Sequence, residues 1–190
     1  MKAKGFRVTR PETTVEHVLK DTNPHYKDVP LYRGQWSQNC QRCCPAAEMI
    51  RRGYNVTVKP LPKNSDYLND PLRYGRWWEA FEGGTRITWG GRVGVIKQQM
   101  KDWCDGARAE ISIKWKGRRG SGHVFLCEQI NGETVFYDAQ TGRRGQEVES
   151  YFSYCYTRGV YANMQTFMRI DNLKPSDRMF DCIQKKDDPK

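Results

Sequence analysis

The residues with the chemistry to act on an amide are few and unevenly spread. Cys40, Cys43 and Cys44 crowd into "CQRCC" just ahead of a helical pattern, and His123 opens the apolar run "HVFLCEQI". A thiol at a helix N-terminus faces unpaired backbone N–H groups and the positive end of the helix dipole, and both favour the nucleophilic thiolate. The same N–H groups can hold the oxyanion formed when the sulfur attacks a carbonyl. Such a nucleophile needs a base. His17 and His25 lie in a proline-rich lead-in that would hold a base poorly, which leaves His123. Asn131-Gly132 joins two strand-like runs and is a strong two-residue hairpin signal, so facing positions across it sum to 263. His123 then lies opposite Gln140 and within one or two positions of Asp138, where an imidazole and a carboxylate can meet. The carboxylate would fix the tautomer and orientation of the ring, as the third member of a catalytic triad does. The plainer reading is that His123 starts a strand and Asp138 caps a turn.

The elements that must hold these groups follow from periodicity. Ala46, Ala47, Met49 and Ile50 recur at helical spacing, and Gly53 supplies a stop. Proline is tolerated only in a helix's first turn, so Pro45 predicts a helix from about Cys43 to Arg52 with the cysteines at its N-terminus. "YNVTVKPLP" suits a short strand, "NSDYLNDPLRYG" an irregular connection and "RWWEAFEG" an aromatic turn of helix. In "VGVIKQQMKDWC", Val95, Ile96, Met100 and Trp103 recur at three- and four-residue steps, the pattern of an amphipathic helix. "AEISIKWK" alternates from Ala109 to Lys116, followed by "GHVFLCEQI", "ETVFYD" and a last strand in "MQTFMRID" over 164–171. Helices first and an antiparallel sheet after them make an α+β domain.

The stretches "NCQRCCPAAEMIRRGYNV", "GSGHVFLCEQINGETVFYDAQTG" and "MRIDNL" together resemble the papain-fold toxin family of Tox-PL type. These are glutamine deamidase-like domains at the C-terminal ends of bacterial polymorphic toxins and in some phage head-associated proteins. The resemblance spans residues 20–173, thinly over 60–110. It implies a papain-like cysteine hydrolase fold, N-terminal helices packed on an antiparallel sheet, with the family's triad on Cys40, His123 and Asp138. Cys43 also matches a family position and is the alternative nucleophile. Gly53 stands thirteen residues after Cys40, a distance similar to that in papain-like and transglutaminase-like folds, whereas Pro45 argues for a later helix start and so for Cys43. Gln140, in "DAQTG", matches a recurrent family position that either binds substrate or holds the loop. A papain-like oxyanion hole would add a side-chain amide from just upstream, for which Gln35 and Gln38 are the candidates. The implied organisation is a lead-in or linker over 1–30, a catalytic domain over 31–175 and a polar tail over 176–190.

Other chemistries fit less well. Cys40-x-x-Cys43 is a zinc-ligand spacing, but no second CxxC or HxxxH completes a four-ligand site, so neither metal nor cofactor is expected. Seven cysteines, an odd and scattered set, read as reduced thiols rather than a disulfide framework. No apolar run approaches a membrane span, and the start lacks the features of a secretory signal. The net charge of +10 attracts acidic partners. Nucleic acid is the weaker candidate because the tryptophans read as packing rather than as a stacking row, although a basic nucleic-acid-binding module is the non-enzymatic alternative. The short clusters at 51–52, 116–120 and 142–145 read as solvated turns. The expected partner is a target protein with an acidic face, together with a cognate immunity protein. The resemblance further implies bacterial or phage origin and delivery as the C-terminal domain of a larger protein into the target cytoplasm. Protease and transglutaminase remain the alternative outcomes of the same triad.

Overall fold

The computed structural model describes residues 5–9, 11–28, 34–62, 76–117 and 121–186; the connection expected over 64–75 and the centre of the 116–120 cluster lie outside them. The chain divides into two compact units. The first comprises Met1–Glu82, Ala139–Gly142 and Lys174–Lys190, the second Gly83–Asp138 and Arg143–Leu173.

The first unit is built on two helices. Helix α1 (Val15–Thr22) starts where the Thr14 hydroxyl accepts the His17 N–H at 3.3 Å, and it buries Val15 and Val18 against α2 (Cys40–Arg51). The lead-in therefore departs from the loosely draped segment that its prolines suggested, because a capping threonine and two valines three apart suffice for one packed helix. Helix α2 begins at Cys40, earlier than the proline argument allows, and Pro45 lies inside it. The missing N–H of Pro45 costs α2 one backbone bond near its first turn, a loss the burial of Ala46, Ala47, Met49 and Ile50 offsets. Gly53, at φ +85°, ends the helix: its N–H reaches the Ile50 carbonyl at 2.8 Å and the Tyr54 N–H reaches Met49 at 3.1 Å, a Schellman closure.

Strand β1 (Val56–Val58) pairs antiparallel with β8 (Ile183–Lys185), which follows the short helix α6 (Met179–Cys182). The C-terminal stretch expected as a polar tail thus enters the first unit's core. Met179, Cys182 and Ile183 are fully buried among their charged neighbours, and Arg42 donates to the Asp181 carbonyl.

The second unit is a six-stranded antiparallel sheet. Its strands are β2 (Ile87–Thr88), β3 (Arg108–Lys114), β4 (Gly122–Ile130), β5 (Glu133–Asp138), β6 (Arg143–Arg144) and β7 (Thr166–Arg169), in the order β2-β7-β3-β4-β5-β6. The register across the Asn131-Gly132 turn is the one the turn predicts, from Ile130 opposite Glu133 to Leu126 opposite Tyr137. Strand β3 stops at Lys114, short of the alternation that continues to Lys116, because Trp115 bridges instead to Cys155. One face of the sheet carries Ile111, Ile113, Phe125, Cys127 and Phe136, covered by Ile96 and Met100 of α3 (Val93–Trp103). Each such large side chain, fully buried, contributes about 1.5–3 kcal/mol of transfer free energy. Beyond β6 come α4 (Gln146–Glu149), a 3-10 turn (Ser150–Tyr154) and α5 (Gly159–Asn163).

Candidate active site

In the first unit, tight turns over 34–38 deliver the chain to α2, with the Ser37 hydroxyl accepting the Gly34 N–H at 3.1 Å. Asn39 stands at the capping position yet does not cap: its side chain is fully buried and donates to the Lys59 carbonyl at 2.8 Å. No side-chain oxygen of Asn39 therefore caps the first N–H groups of α2. Cys40 is the first residue of the helix and is half-buried. Cys43 and Cys44, at 0% and 1% exposure, belong to the core.

Of the candidate amides, Gln38 is exposed and Gln35 half-buried, its carbonyl accepting the Leu61 N–H at 2.9 Å. Gln140 is buried and donates from Nε2 to the Ser37 carbonyl at 3.1 Å, so its side chain ties down the turn ahead of Cys40. Asn23 completes that tie, its Nδ2 donating to both the Trp36 carbonyl (2.9 Å) and the Gln140 carbonyl (3.0 Å). Nothing in the sequence singled out Asn23, since Asn-Pro reads as an ordinary turn.

In the second unit, His123 Nε2 lies 3.0 Å from Asp138 Oδ2, with the side chains 11% and 1% exposed. The other two histidines also have carboxylate partners, His17 with Asp21 and His25 with Asp28, both at 2.9 Å. Distance alone therefore does not pick out a base. Those pairs are local to one helical turn, Asp21 is shared with Lys186 at 2.8 Å, and His25 and Asp28 are exposed. His123 and Asp138 are instead fixed by the β4–β5 register and enclosed by aromatic rings. Trp115 and Phe125 both stack on the imidazole, each centroid 6.1 Å from it, at 20° and 24°. In such apolar surroundings the bond between ring and carboxylate is stronger than it would be in water. With Nε2–H donated to Asp138, Nδ1 is the nitrogen that carries the lone pair in the neutral ring.

Two further features were not legible in advance. Tyr151, from the 3-10 turn, donates its hydroxyl to Asp138 Oδ2 at 3.0 Å. Gly122 lets β4 approach β3 just before His123, since a Cβ there would stand 2.4 Å from the Ile113 carbonyl oxygen. "SYFSYC" carries no pattern that would mark one of its tyrosines, and the glycine read only as part of a turn.

Two of the other thiols are poor nucleophiles. Burial pushes Cys155 up to about 12 and raises Cys127 further, so both stay protonated at neutral pH. All seven cysteines are free. Among the described residues, no group of three His, Cys, Asp or Glu side chains is placed to hold a metal ion, and no helix is long and apolar enough to cross a membrane.

Residues 38–143, more than half of the chain, match the family described as papain fold toxin 1, glutamine deamidase. No curated protein and no solved structure matches the chain. The match takes in the helix bearing Cys40 and the hairpin bearing His123 and Asp138, and its fold is the α+β arrangement of helices and antiparallel sheet described above. The chain is thus an enzyme of the hydrolase class and belongs to the papain-fold toxin family of glutamine deamidases.

Proposed function

We infer that the chain deamidates a glutamine side chain of a target protein through Cys40, His123 and Asp138. The observation that carries this reading is the 3.0 Å contact between His123 Nε2 and Asp138 Oδ2, which leaves Nδ1 as the nitrogen that exchanges protons with a thiol. Cys40 rather than Cys43 is the nucleophile, because the sulfur of a fully buried residue within a helix is closed to a substrate. The thiolate adds to the carboxamide carbon, and the oxyanion is held by N–H groups at the start of α2, with Gln35 or Gln38 as the added amide donor. The imidazolium gives its proton to the leaving nitrogen, ammonia departs and a thioester forms. Water, deprotonated by the imidazole, then releases the glutamate and restores the thiol.

The charge of +10 favours a target with an acidic face. Origin in a bacterium or phage, delivery as the C-terminal part of a larger protein and a cognate immunity protein complete the reading. Proteolysis and transglutamination use the same intermediate and differ only in the leaving amine or the acceptor.

The test is intact mass analysis, with ammonia release, of acidic glutamine-bearing proteins such as casein incubated with the enzyme. Conversion of amide to acid, lost by at least about a thousandfold in Cys40→Ala with an unchanged melting curve, supports the reading. Cleaved products point to a protease and joined chains to a transglutaminase. Retained activity in Cys40→Ala with loss in Cys43→Ala moves the nucleophile to Cys43. No change of any substrate together with salt-sensitive nucleic-acid binding points to the binding module.

A further inference from the structure

We propose that Tyr151 is a positioning residue of the reaction: its hydroxyl holds the Asp138 oxygen that meets His123, and its ring closes one side of the imidazole. The inference rests on His123 acting as the base. Asp138 Oδ2 lies 3.0 Å from His123 Nε2 and 3.0 Å from the Tyr151 hydroxyl. Two donors from separate elements, a strand and a 3-10 turn, thus converge on one oxygen. The carboxylate cannot turn about its Cβ–Cγ bond without breaking both contacts, so the phenol fixes the direction in which the imidazole is held.

The ring of Tyr151 adds a wall. It stands edge-on to His123 at 5.8 Å between centroids, and edge-on to Trp115 and Phe125 at 5.7 Å each. These are favourable aromatic geometries, and together they leave the imidazole little room to tilt.

Tyr151 is itself anchored. The Cys155 thiol donates to the Tyr151 carbonyl at 3.2 Å, and because burial keeps that thiol protonated it remains a donor throughout the neutral range. Cys155 also bridges to Trp115, so the residues around the imidazole form one connected frame. The turn that carries Tyr151 lies beyond residue 143, where the family match ends.

Tyr151→Phe keeps the ring and removes the hydroxyl. The chain has only three histidines, so the His123 Nε2–H signal of a ¹⁵N-histidine-labelled protein is assigned by its disappearance in His123→Gln. The expected result is a displaced or broadened His123 signal in Tyr151→Phe, with kcat for casein deamidation lowered on the order of tenfold and KM unchanged. A phenol that merely filled space would move neither. A wild-type His123 signal and wild-type kcat in Tyr151→Phe would overturn the inference. If the signal moves but the wild-type enzyme releases no ammonia from any glutamine-bearing protein, the hold on Asp138 stands and the deamidase reading fails instead.

Discussion

The thiol and the histidine–carboxylate pair are positioned by opposite means. Cys40 is set by local chain: a helix start, the turns over 34–38 and an Asn39 whose amide donates to Lys59 and makes no cap. His123 and Asp138 are fifteen residues apart and meet because β4 and β5 keep their register, with Trp115, Phe125 and Tyr151 enclosing the imidazole. In the proposed reaction the first arrangement would supply reactivity through backbone N–H groups that any helix has. The second provides direction, which a helix terminus cannot supply. Damage to the sheet should therefore cost chemistry, whereas damage to the contacts that hold the turn ahead of the thiol, with the sulfur and the oxyanion donors left in place, should cost mainly stability.

That contrast is open to test. Asp138→Asn should have the largest effect. The amide can present its NH₂ to the ring and select the wrong tautomer, so kcat should fall by about 10²-fold or more while the fold is kept. Initial rates of ammonia release measure this, and a loss of less than threefold would mean that the carboxylate does not orient the base.

Gly122→Val should come next. The new Cβ would stand 2.4 Å from the Ile113 carbonyl oxygen, forcing β4 away from β3 beside His123. The expected cost is about 1–3 kcal/mol in urea unfolding, accompanied by a kcat loss beyond what the unfolded fraction explains. Equal loss of activity and folded protein would show that the strand start has no hold on the imidazole.

Asn23→Ala is the corresponding probe of the thiol region. It removes the donor to the Trp36 and Gln140 carbonyls and should cost about 1–3 kcal/mol of stability. Activity per folded molecule should change little. A kcat loss as large as that of Asp138→Asn would erase the proposed contrast between the two regions.

The parts legible in the sequence were those governed by short-range rules. A two-residue Asn-Gly turn admits one register, so the meeting of His123 and Asp138 followed from counting. Gly53 ended α2 because only a residue at ease with φ +85° closes that motif. The start of α2 was misplaced because the proline rule weighs one lost backbone bond and cannot see the burial that offsets it. Helix α1 and strand β8 were missed for the same reason: their apolar residues are sparse and become meaningful only when a partner covers them, α2 for α1 and β1 for β8. Tyr151 reaches Asp138 by tertiary packing alone, so no spacing announces it.

The central proposal is that the His123 imidazole activates the Cys40 sulfur. It is tested most directly by the rate at which iodoacetamide alkylates Cys40 at neutral pH, read by peptide mass mapping in wild type, His123→Ala and His25→Ala. Exposed Cys104 serves as the internal standard, while Cys155, with its thiol at about 12, and the still higher Cys127 should stay unlabelled. The account predicts that Cys40 reacts faster than Cys104, that His123→Ala slows it by about tenfold or more, and that His25→Ala leaves it unchanged. Alkylation of Cys40 at the same rate with and without the imidazole at 123 would contradict it.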